Sequence, residues 1–196
     1  MKQPLRMLGI VGSPRRGGNT DILIGEILRG ANESGAITEK VFLPELQIGA
    51  CRACQSCWNT GRCFQKDDMP ALLEKMEQSN VWVLGSPVYW SSVSAQFKLF
   101  LDRWFGQSKT VRFEGRRTIV ALSMGANDPD KIAQIEQNLG GMFTTITDHM
   151  KMEFFAMIFA SSVWDVGKIR EFPDTLAAAY RAGQQAVQQP LKSAAS

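Results

Sequence analysis

Histidine is nearly missing from this 196-residue chain; His149 is the only one. With no Cys or Ser signature around it, a lone imidazole reads as a surface or helix-end residue rather than a catalyst. Long apolar runs are missing as well. Nothing approaches the roughly 20 residues of a membrane span. The run nearest the amino terminus, residues 7–11, is too short for the apolar core of a signal peptide. The expected location is therefore the cytoplasm, with no membrane partner. A dominant charge is also lacking. The 22 basic and 19 acidic residues leave +3 and form no basic run, too weak a bias for a nucleic-acid partner. Cysteine is absent except in one short segment, where all four lie between residues 51 and 63. In a reducing compartment such clustering points to metal or redox chemistry rather than to disulfides. No repeat and no linker divides the chain. The expected organisation is one domain over residues 1–187, with a cysteine-rich insertion at 44–68 and a frayed tail at 188–196.

What is present is an ordinary soluble composition, 44% hydrophobic and 21% charged, which argues against disorder. Short continuous apolar runs at 7–11, 40–43, 81–84, 118–122 and 153–159 read as strands buried on both faces. Between them, apolar residues recur at helical spacing: Leu23, Ile24, Ile27 and Leu28, then Leu72, Leu73 and Met76. Val93, Phe97, Phe100, Leu101 and Trp104 follow, then Ile132, Ile135 and Leu139, and finally Leu176, Ala177 and Tyr180. Asn19 or Thr20, Asp67 or Asp68, and Asp128 together with Asp130 are the expected amino-terminal caps. Gly140-Gly141 is the expected stop of the fourth helix. Strands alternating with helices predict an α/β fold, a doubly wound five-stranded parallel sheet in the order 2-1-3-4-5.

Loops at the carboxyl ends of such strands are where ligands bind. The first, Gly12-Ser13-Pro14-Arg15-Arg16-Gly17-Gly18-Asn19-Thr20, leads into a helix whose free N–H groups and dipole favour an anion. Ser13, Asn19 and Thr20 add side-chain donors, and Arg15 and Arg16 add charge, so the loop suits a terminal phosphate. It lacks the Lys-Ser/Thr step of a P-loop and the Gly-x-Gly-x-x-Gly of a dinucleotide fingerprint. A plain βα turn with helix-capping side chains is the alternative. The loops after strands three and four, residues 86–92 and 123–126, emerge at the same edge. Tyr89 and Trp90 can lie against a planar ring, and Gly125 permits close backbone approach. A phosphate site beside an aromatic, glycine-lined slot fits FMN; a core or dimer contact is the other reading of Tyr89 and Trp90.

Cys51, Cys54, Cys57 and Cys63 form Cys-x2-Cys-x2-Cys-x5-Cys. Consecutive two-residue spacings are typical of a thiolate cradle for a 4Fe–4S cluster. Structural zinc more often takes two separated pairs, though zinc, or free redox-active thiols, stay open on spacing alone.

Three stretches, residues 12–20, the cysteine segment through Asp68, and residues 86–103 (SPVYWSSVSAQFKLFLDR), carry a family likeness. The chain resembles the NADPH-dependent FMN reductase group of flavodoxin-like proteins, and within it the iron–sulfur flavoproteins. That resemblance implies phosphate binding by Ser13, Arg15, Asn19 and Thr20. It implies flavin-ring contacts from Pro87, Val88, Tyr89, Trp90 and Ser91 and from Met124 and Gly125, and a cluster on the four cysteines. It implies a homodimer or homotetramer, and a redox partner that is NAD(P)H or a ferredoxin-like protein. The expected function is an electron-transfer oxidoreductase in which FMN exchanges electrons with the cluster. The alternative is an NAD(P)H-dependent FMN or quinone reductase without one, and from another class a zinc-bound docking module on a flavin-free scaffold. Asp102-Arg103 matches the family's Asp-Arg step, for which a capping or ion-pair role is expected.

Overall fold

Alternation along three strands sorts the core into two layers. The computed structural model describes residues 3–108 and 113–191. In β1 (Arg6–Val11), β3 (Val81–Tyr89) and β5 (Arg117–Ser123), successive residues face opposite sides of the sheet. Met7, Val11, Val81, Val83, Ile119 and Ala121 face α1 (Asn19–Glu33) and α7 (Pro173–Gln188). Leu8, Ile10, Trp82, Leu84, Val120 and Leu122 face α3 (Met69–Glu77), α4 (Ala95–Asp102) and α6 (Pro129–His149). Both faces are covered, so the strands read as unbroken apolar runs.

With β2 (Ile37–Phe42) and β6 (Glu153–Ala160), these strands form one parallel sheet in the order β2-β1-β3-β5-β6. This is the expected order once β4 (Ser92–Val93), a two-residue antiparallel partner of β3, is set aside. Short helices α2 (Ser56–Thr60) and α5 (Phe105–Ser108) complete the elements used below. Helices α1 and α7 touch closely: a Cβ on Gly183 would lie 1.9 Å from the Ile27 carbonyl oxygen, and one on Gly30 would lie 2.1 Å from that of Tyr180. Buried Arg117 ties the sheet to the end of α7. It pairs with Glu153 at 2.7 Å and donates to the carbonyls of Ala186, Gln189 and Pro190.

Several local expectations fail for physical reasons. Helix α6 runs straight through Gly140-Gly141. Glycine costs a helix about 1 kcal/mol each, and burial of Leu139 and Phe143 on either side offsets that. Val93 belongs to β4, and α4 begins at Ala95, where the Ser94 hydroxyl caps it by accepting from Phe97 N–H. Gly18, not Asn19 or Thr20, is the cap residue of α1. Asp68 is the cap residue of α3, as expected, though it is Asp67 Oδ1 that accepts from Met69 N–H at 3.2 Å; Asp128 caps α6 by accepting from Lys131 N–H, while Asp130 lies inside the helix. The expected tail lies partly outside the described residues, at 192–196. Among the described residues no helix is long and apolar enough to cross a membrane.

Candidate functional site

The carboxyl ends of β1, β3, β5 and β6 surround a cleft of about 180 Å³. The β1–α1 loop contributes Ser13, Arg15, Gly18, Asn19 and Thr20 to its lining; the ends of β3 and β5 and the loops after β5 and β6 contribute Pro87, Val88, Tyr89, Ser123, Gly125, Val163, Trp164 and Val166. The loops are braced against one another. Gly12 N–H donates to Gly85 O at 2.7 Å, the Ser94 hydroxyl donates to Gly12 O at 2.6 Å, and the Thr20 and Ser123 hydroxyls share a 2.7 Å bond. The ladder of α1 starts at Ile22 N–H, which donates to Gly18 O. The N–H groups of Asn19, Thr20 and Asp21 therefore have no helical acceptor, as first-turn donors do not. They, the Ser13 hydroxyl and the exposed Arg15 guanidinium form an anion-facing end.

The residues expected here divide into three groups. Ser13, Arg15, Thr20, Pro87, Val88, Tyr89 and Gly125 line the cleft. Asn19 lines it too, but its side chain is spent inside the protein. It donates to Val163 O and Asp165 O at 2.8 Å and accepts from Ile169 N–H at 3.1 Å, so it fastens α1 to the loop after β6. Trp90, Ser91 and Met124 do not line the cleft. Trp90 and Ser91, with φ of 49° and 60°, are the two central residues of the β3–β4 hairpin. A two-residue hairpin favours this left-handed geometry, and it turns the Trp90 ring fully into solvent. Met124 is buried, its backbone joined to Ala160 and Val163. Arg16 faces the other way: it pairs with Glu45 and lies 4.1 Å over the Phe42 ring.

Trp164 is the wall that the sequence reading missed. Its indole crosses Gly125 so closely that a Cβ there would lie 2.5 Å from Trp164 Cε3. The available signal was positional, because residues 161–167 follow the last strand and so emerge at the ligand edge. A slot with an anion-facing end, two aromatic walls and a glycine floor fits a flavin mononucleotide.

The cysteine segment forms a closed loop with a cavity of its own. Its base is stitched by Asp68 N–H to Gln47 O, Gln47 N–H to Asp68 Oδ2 and Gly49 N–H to Asp67 Oδ2. Left-handed Ala53 and Gln55 bend the chain into α2. Cys51, Cys57 and Cys63 line one cavity of about 480 Å³ with Arg103, Phe105 and Gly106, while Cys54 is exposed outside it. A Cβ on Gly106 would sit 2.7 Å from Cys57 Cβ, so glycine is what lets this cysteine approach. Burial pushes the Cys57 thiol up, and the nearby Cys63 adds to the shift. Arg103 Nη2 donates to Cys63 Sγ at 3.4 Å. Burial raises the Asp67 carboxyl, but hydrogen bonds from Arg103 and from the Gly49 and Met69 N–H groups outweigh it and hold it below its usual range. Among the described residues, no three His, Cys, Asp or Glu side chains are gathered into a metal-holding group. The donor set is nonetheless of the kind iron–sulfur centres use: four thiols, three of them on one cavity, with a buried guanidinium at a sulfur.

Comparison with known proteins places the fold and the family. An iron–sulfur flavoprotein of Archaeoglobus fulgidus is 35% identical over 131 residues, 66% of this chain and 59% of that one. Another from Methanocaldococcus jannaschii is 40% identical over 99 residues, 50% of this chain and 51% of that one. The chain thus spans a little over half the length of these relatives. The NAD(P)H:quinone oxidoreductase of Methanothermobacter marburgensis shares the fold, with a TM-score of 0.75 at 16% identity over 96% of this chain and 100% of that one. Residues 5–147 match the family model for NADPH-dependent FMN reductase, and the chain belongs to that oxidoreductase family.

Proposed function

We propose that this chain is an FMN-dependent oxidoreductase that takes electrons from a reduced nicotinamide and exchanges them with a 4Fe–4S cluster on Cys51, Cys54, Cys57 and Cys63. The observation that carries the reading is the cleft itself, where first-turn N–H groups with no acceptor among the described residues and an exposed guanidinium meet a slot lined by Tyr89 and Trp164. Bound FMN supplies the electron-accepting ring chemistry. The protein's part is placement. First-turn N–H groups of α1, the Ser13 hydroxyl and Arg15 hold the phosphate, since charge-assisted hydrogen bonds to an anion are the strong ones. Pro87, Val88 and Tyr89 would lie along the bound ring, and Trp164, which Gly125 allows to pack across it, would keep water from one side. The cluster is supported by the cysteine spacing, by the shared cavity and by the names of the relatives.

The test is anaerobic purification followed by reconstitution with FMN, ferrous iron and sulfide. Expected are stoichiometric flavin, iron and sulfide, a broad absorption shoulder that dithionite bleaches, and flavin bleaching by NADPH. Protein that leaves FMN fluorescence unchanged would refute the flavin reading. Flavin without iron in protein whose cysteines are intact would replace the cluster reading with a cluster-free reductase.

A further inference from the structure

Arg103 lies outside the flavin cleft, yet its side chain is 2% exposed and both of its terminal nitrogens are engaged. It leaves the end of α4 and enters the base of the cysteine loop. There it forms a two-pronged pair with Asp67, whose side chain is 11% exposed, with Nη2 to Oδ1 at 3.1 Å. Nη1 also donates to Gly49 O at 2.9 Å, and Nη2 reaches Cys63 Sγ. One guanidinium therefore holds the strand of the loop that enters (Gly49), the strand that leaves (Asp67) and a sulfur between them. Only a planar fork with five donors satisfies these acceptors together; a lysine ammonium does not.

We infer that Arg103 is the positioning residue of the cysteine segment: with Asp67 it clamps the loop shut, and its N–H to Cys63 places a positive charge beside whatever the thiols hold. The clamp follows from the hydrogen bonds alone. The electronic role rests on the cluster reading above, because hydrogen bonds to the sulfurs and nearby charge set the potential of such a centre. A cation there favours the added electron, and the Asp67 carboxylate opposes it.

Arg103→Met and Asp67→Asn in the full chain separate these roles. Arg52, Arg62 and Lys66 are exposed trypsin sites within the loop. After iron removal by chelation, both variants should be cut there about tenfold faster than the parent, the change in open population that about 1.4 kcal/mol gives. FMN titration monitors the integrity of the sheet, and Asp67→Asn serves should Arg103→Met fail to fold. In iron-loaded protein, the midpoint potential should fall in Arg103→Met and rise in Asp67→Asn. A purely structural role would move both in the same direction. Cutting at the parent rate in both variants would overturn the clamp. Potentials that shift together, or a parent protein that takes up no iron, would overturn the electronic role, and in the second case the proteolysis still decides the clamp.

Discussion

Replacement of Arg15 with alanine should weaken FMN binding, while the same change at the neighbouring Arg16 should not. The two residues look equivalent in the sequence, and the structure separates them. Arg15 lines the anion-facing end of the cleft and is exposed. Arg16 is turned to the edge of β2, paired with Glu45 at 2.5 Å and stacked on Phe42. A hydrogen bond to a charged group contributes roughly 1.5–3 kcal/mol, and exposure to screening salt lowers this to about 1–2 kcal/mol. Arg15→Ala should therefore raise the FMN dissociation constant by about 5- to 30-fold. Quenching of flavin fluorescence measures this directly. Riboflavin, which lacks the phosphate, is the control and should bind Arg15→Ala and parent alike. The same asymmetry should appear in potentiometry, with only Arg15→Ala lowering the flavin midpoint. An unchanged FMN constant in Arg15→Ala, or an equal loss in Arg16→Ala, would refute the assignment of the phosphate end.

Two further substitutions test the walls of the cleft and the packing behind it. Gly125→Ala should displace the Trp164 indole, because the new methyl would lie 2.5 Å from its Cε3; weaker FMN binding and altered tryptophan fluorescence at near-parent thermal stability are expected. Gly183→Ala should drive α7 off α1, since its methyl would meet the Ile27 carbonyl at 1.9 Å. Overpacking of this kind costs about 1–3 kcal/mol, which calorimetry should record as a fall of roughly 2–12 °C in Tm.

The sheet was legible because its signal is redundant. Each inner strand repeats the same two-sided apolar pattern, and the strand order follows from handedness and coverage once the alternation with helices is seen. That the first βα loop would line the cleft was legible for a similar reason: a glycine-rich loop between a strand and a helix has few physical uses. What escaped was the use of individual side chains. Asn19 has the composition of a cap, but Gly18 already occupies the extended cap position, which frees the amide to reach Val163 and Asp165, 144 and 146 residues away. Trp90 has the composition of a ring contact, but the hairpin register of Tyr89 with Ser92 fixes it at the turn and points it outward. Trp164 sits in a loop without any special motif, and only the closing of the sheet brings it onto Gly125. Local pattern reports the period of an element; it does not report which distant backbone a side chain meets.

Helix α4 shows what such distant meetings accomplish. It is eight residues long, about 12 Å at 1.5 Å per residue, and each end grips a different loop. At its start, the Ser94 N–H donates to the Ser86 hydroxyl and the Ser94 hydroxyl donates to Gly12 O, which fixes the β1–α1 loop at the cleft. Just past its end, Arg103 holds Gly49 and Asp67, which fixes the loop that carries the thiols. Between the two, Phe97 and Phe100 are fully buried, and edge-to-face contacts run from Phe97 to Phe100, on to Trp104 and then to Trp82. Close packing of this kind resists sliding. Gly12 and Gly49 are far apart in sequence and lie in the connections that follow different strands, β1 and β2, yet both are referenced to one stiff element. The flavin slot and the cysteine loop thus inherit a fixed separation from α4, which a long connection after β2 would not supply unaided.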